Sequence, residues 1–138
     1  MVQLLTVHAL ASLVRGAAIG SAFLAVWAFV ADLRRARALS SAFWVVVLVV
    51  VVMVVIQIAT GLLLAVGGAR PKTLLHFLYG ALIAVTAVAQ FGLRPGGFLR
   101  AAVLRNTPGF REPRWLALIC LTQLGLILRA YTTGMLGR

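Results

Sequence analysis

Apolar residues in this chain fall into four long runs, with few polar positions between them. The runs cover about 4–31, 42–66, 73–91 and 115–136. Each nears or exceeds the roughly 20 residues that cross about 30 Å of hydrocarbon as an α-helix. Within each run the apolar positions are continuous rather than alternating, which predicts helices and not barrel strands. The second run contains WVVVLVVVVMVVIQIATGLLL. Its valines would weaken a helix in water. In lipid a lone segment must satisfy its own amides, and only a helix does that. The expected fold is all-α, a single four-helix transmembrane domain over residues 1–138.

Three connections separate the runs. The first carries Asp32, Arg34, Arg35 and Arg37, and the second is the tight GGARPK turn. The third spans 94–114 with Arg94, Arg100, Arg105, Arg111 and Arg114. Connections one and three hold eight basic residues, against Arg70, Lys72 and Arg138 at the other side. The positive-inside rule then places connections one and three in the cytoplasm and both termini outside, an N-out/C-out topology. Trp27, Trp44 and Trp115 fall near the same ends, where interfacial aromatics belong. Within the third connection, GGFLRAAVLR predicts a short amphipathic cytoplasmic loop helix facing lipid headgroups, with prolines 95, 108 and 113 bounding and interrupting it. The first run is too long for a signal peptide and has no basic segment before it, so it is expected to remain as a span.

Composition agrees. Of 138 residues, 63% are hydrophobic and 11% charged, and the mean hydropathy is +1.09. A water-soluble domain carries about 25% charged residues. The net charge of +11 comes from thirteen basic residues and two acids, Asp32 and Glu112. In a soluble chain that would suggest nucleic acid. Here the charge sits in loops between spans, without interleaved aromatics, so no nucleic-acid partner is expected. The lone Cys120 lies in an apolar run and lacks a metal-ligand spacing.

Ionisable groups inside a membrane are costly and mark function by default. There are four in the runs: His8 and Arg15 in the first, His76 in the third and Arg129 in the fourth. Both histidines lie one to two turns from the outer ends. Two imidazoles at one depth on different helices suit the axial positions of a b-type haem. Glycines 16, 61, 80 and 125 would give room for the ring. Ser12, Gly16 and Gly20 repeat every four residues, and small residues at that spacing let another helix or a flat ligand approach the backbone. Arg15 and Arg129 have no acid within the spans, and haem propionates, lipid phosphates or a partner's carboxylates would offset their charge. Tyr79 and Gln57 would hydrogen-bond a quinone or the haem edge. The expected cofactor site is therefore His8, His76, Arg15, Arg129, Gly16, Gly80, Tyr79 and Gln57, with His8 and His76 on the metal. Copper fits less well, because no methionine pair or Cys-x-x-Cys accompanies the histidines. A proton-coupled exporter lacks its intramembrane carboxylate. No nucleophile has an identifiable base, so no catalytic activity of the chain alone is expected.

The stretch QIATGLLL followed by LHFLYG resembles the helix pairs of four-helix haem-carrying membrane proteins, such as halves of haem A synthase and small b-type cytochrome anchors. That resemblance implies haem b held by His8 and His76. Haem A synthase-like proteins carry further histidines and an outer carboxylate, which this chain lacks. Holding haem is thus implied rather than modifying it. LHFLYG with LRAYTTG is also similar to small bacterial membrane proteins, which implies the bacterial cytoplasmic (inner) membrane. Two functions follow as expectations. One is an electron-transfer or haem-holding subunit. The alternative is a non-catalytic accessory or assembly subunit of a larger membrane complex, binding lipids or partner acids through its intramembrane arginines.

Overall fold

The computed structural model describes residues 11–71 and 73–135, and all of its regular structure is helical. Helix α1 spans Ala11–Leu33, α2 Ser41–Val66, α3 Leu75–Leu93, α4 Arg100–Asn106 and α5 Glu112–Met135. The four long helices are long and apolar enough to cross a membrane. By length and composition they make a multi-pass membrane protein. Their outer faces carry large apolar side chains such as Ile19, Val26, Leu62 and Val85, all more than half exposed. Water would oppose that surface and lipid accepts it.

The long helices form a square. Helix α1 packs on α5 and α2, and α3 packs on α5 and α2. Small residues set the closest approach. A Cβ on Gly20 would stand 2.5 Å from Val50 Cγ2, and one on Gly16 would stand 3.3 Å from Met53 Sδ. The glycines therefore let α2 seat against the α1 backbone. At the end that holds the long connections, Trp27, Phe43 and Trp44 pack edge to face, with ring centres 5.6 and 5.7 Å apart.

Helix ends follow local chemistry. Ser40 caps α2 by accepting from the Phe43 amide at 3.3 Å. The other end of α2 closes with Gly68 N–H on Ala65 O and Ala69 N–H on Leu64 O, and Gly68 is left-handed with φ 86°. This is a Schellman cap, which favours glycine at that residue. The end of α1 repeats the pattern, with Arg35 N–H on Asp32 O and Ala36 N–H on Ala31 O. Here the left-handed residue is Arg35, φ 57°, the one non-glycine with positive φ among the described residues.

Helix α5 begins at Glu112, three residues before the expected start of the fourth span. Pro113 had been expected to interrupt the loop. Instead it sits in the first helical turn, where a missing N–H costs nothing.

Candidate functional site

At the end holding the long connections, the chain's two acids tie the helices together. The Asp32 carboxylate pairs with Arg111 at 2.9 Å and Arg114 at 3.2 Å. Arg111 also donates to the Asp32 backbone oxygen at 3.0 Å, so it closes the end of α1 as well. Glu112 is buried; it accepts from the Leu39 amide at 2.8 Å and pairs with Arg100. Arg100 in turn donates to Leu93 O at the end of α3, at 3.0 Å. Two carboxylates thus join α1, the first connection, α3, α4 and the start of α5. Three of the eight arginines at this end are used. Arg34, Arg35, Arg37, Arg94 and Arg105 have no ion pair among the described residues.

The opposite end holds the described part of the expected cofactor site. His76, on α3, is half-buried against α5. Its Nδ1 lies 2.9 Å from Ala130 O. A carbonyl only accepts, so Nδ1 carries the proton, and in the neutral ring Nε2 is the basic nitrogen. The ring crosses α5 at Gly134, where a Cβ would stand 2.9 Å from Nδ1 and Cε1. At the other end of the same interface Gln90 donates to Cys120 Sγ at 3.4 Å. His76 and Gln90 are fourteen residues apart on α3, and Gly134 and Cys120 are fourteen apart on α5, so the two helices pair antiparallel in one register. His8, the other expected ligand, lies outside the described residues. Among the described residues no three His, Cys, Asp or Glu side chains gather as a metal site.

The remaining expected residues divide between the inside and the outside of the bundle. Gly16 faces Met53, while nothing described lies within 4 Å of a Cβ on Gly80 or Gly125. Tyr79 and Gln57 are half-buried, and the Gln57–Thr60–Leu64 face of α2 turns inward. Arg15 and Arg129 are exposed on the outside of the bundle. Their levels agree. From the Asp32–Arg114 contact, Arg15 lies 17 residues back along α1 and Arg129 15 residues on along α5. Those steps are about 25 and 23 Å of helical rise. Both arginines therefore stand nearly a full hydrocarbon thickness from the carboxylate cluster. Thr122 and Gly125 share this exposed side of α5, and Thr133 is buried.

Inside the square lies a polar group that the reading of the sequence passed over. Gln90, Cys120 and Gln123 are all fully buried. Neither side-chain polar atom of Gln123 has a hydrogen-bond partner among the described residues. A glutamine within an apolar run is itself a signal, because an amide in hydrocarbon needs a partner. No protein family, curated protein or solved structure matches this chain.

Proposed function

We propose that this protein is a non-catalytic accessory subunit of a larger assembly in the bacterial cytoplasmic membrane, with its termini outside and its two basic connections in the cytoplasm. The eight-to-three imbalance of basic residues supports that orientation. In it, the short helix α4 lies along the cytoplasmic surface.

One observation carries the accessory role. Arg15 and Arg129 occupy one level on neighbouring helices and project away from the bundle. Both acids of the chain are engaged at the far end. No carboxylate side chain of the chain is left for them, which supports a counter-charge from outside, as carboxylates of an adjoining subunit or phosphates of the outer leaflet. Below Arg15, α1 continues as a stripe of Ile19, Phe23, Val26, Val30 and Leu33, exposed and purely apolar. A neighbouring helix can pack along it while its acid meets Arg15.

Extraction in native-lipid nanodiscs tests this. A defined subunit should accompany the wild-type chain and be lost from Arg15→Leu/Arg129→Leu. A chain that travels alone, with or without its arginines, would remove the reading.

A second reading, haem b ligation, draws support from His76. An Nδ1–H bond to a carbonyl is the usual way a ligating imidazole is oriented for its metal. His8 would supply the opposite ligand, Arg15 and Arg129 would meet the propionates, and Tyr79 and Gln57 would serve a quinone or the haem edge. A reduced-minus-oxidised visible spectrum of the protein in mild detergent decides it. A low-spin b-type signal lost in His76→Ala would establish haem. A featureless spectrum after haem supplementation would exclude it.

A further inference from the structure

Between the first and third connections lies an open cleft of about 440 Å³, lined by Arg35, Ala36, Arg37, Phe110 and Arg111. Neither Arg35 nor Arg37 has an ion pair among the described residues. Phe110 also lines a second cleft of about 190 Å³, otherwise walled by Leu93, Val103, Thr107, Trp115 and Ile119. Phe110 thus lines both a cationic cleft and a largely apolar groove.

The backbone adds an independent observation. The caps of α1 and α2 have the same hydrogen-bond pattern. Glycine takes the left-handed position of one, Gly68, and arginine takes that of the other, Arg35. A side chain in this conformation is disfavoured. At Arg35 the residue on that strained backbone lines the cleft. Strain retained where a relaxed residue would fit points toward a use for the side chain.

We infer that the two clefts together bind one anionic phospholipid. Its phosphodiester sits among Arg35, Arg37 and Arg111, and an acyl chain lies past Phe110 along Trp115 and Val103. The apolar groove is what selects a lipid over a free phosphate. Arg111 is already held by Asp32, which fixes it in place and lowers the net charge that the phosphate meets. Arg35 and Arg37 therefore supply most of the attraction.

Native mass spectrometry of the full chain in mild detergent tests this with phosphatidylglycerol, phosphatidylcholine and inorganic phosphate as probes. One phosphatidylglycerol should bind per chain, well ahead of phosphatidylcholine. Arg35→Gly should weaken it about fivefold, the effect of one arginine near a membrane surface. The same variant relaxes the α1 cap, so its melting temperature should equal or exceed that of the wild type and lost binding cannot be put down to unfolding. Arg105→Gln removes an equal charge from the same end, outside both clefts, and should change little. Val103→Trp fills the groove and should weaken lipid of either headgroup. Three results would each overturn the inference. They are equal losses in Arg35→Gly and Arg105→Gln, undiminished binding in Arg35→Gly, and inorganic phosphate displacing the lipid at matched concentration.

Discussion

Asp32 and Glu112 look alike in the sequence, one acid beside each basic connection, but their surroundings rank them differently. Glu112 has a side chain 4% exposed, with a backbone amide on one oxygen and Arg100 on the other. Asp32 pairs with two arginines whose side chains are 39% and 57% exposed, so water screens much of the attraction. Removing one member of a buried pair strands the other charge. Glu112→Gln keeps an acceptor for Leu39 and still leaves Arg100 unpaired, so it should cost about 3 kcal/mol. Asp32→Asn should cost about 1 kcal/mol or less. Thermal unfolding of both variants in one detergent gives the order directly, and an equal or reversed order would mean that the Arg100 bridge is not held in solution. The pairing itself was not legible in the sequence. Arg100 and Glu112 are twelve residues apart across a turn, and only the folded third connection brings them together.

At the scale of the element, the contact between α1 and α2 rests on Gly20. Adding one methyl there places it 2.5 Å from a valine methyl, closer than real carbon atoms approach. Overpacking of this kind costs about 1–3 kcal/mol. Gly20→Ala should therefore destabilise the bundle by that amount. Val50→Ala removes the opposing methyl, so in its background Gly20→Ala should cost much less. A double-mutant cycle on unfolding midpoints measures the coupling, and additive effects would place the steric contact elsewhere. The helices themselves were largely legible. Residues 42–66 were expected as a span and α2 covers Ser41–Val66, because continuous hydropathy shows how far a span runs. Which faces meet was less visible. The small residues 12, 16 and 20 were marked as a face for a helix or a flat ligand, and at Gly16 and Gly20 α2 takes it. Gln90 and Gln123 turn inward although hydropathy averages them away, since helix rotation depends on packing against neighbours.

For the whole molecule, the asymmetry of charge has two consequences. It supports the orientation in the membrane, and it gathers every described acid–base pair at one end. That end is cross-tied by polar contacts that reach three long helices, through the side chains of Asp32 and Glu112 and the backbone oxygen of Leu93, while the opposite end relies on helix packing and on contacts such as His76 with Ala130. The orientation is open to a direct measurement, because the chain has a single, fully buried cysteine. In a Cys120→Ala background, Ser40→Cys should react with a membrane-impermeant maleimide only after the cytoplasmic side is opened, and Ala69→Cys should react in intact cells. Ser40 is exposed and Ala69 half-exposed, so neither needs unfolding to label. The reverse labelling would put eight arginines outside. It would also place the lipid site proposed between Arg35 and Trp115 in the outer leaflet, and Arg15 and Arg129 at the cytoplasmic face, where they would meet cytoplasmic anions rather than an outer-leaflet partner. Orientation thus decides which leaflet and which side of the membrane each basic group serves, and the two labelling sites read it without depending on either functional proposal.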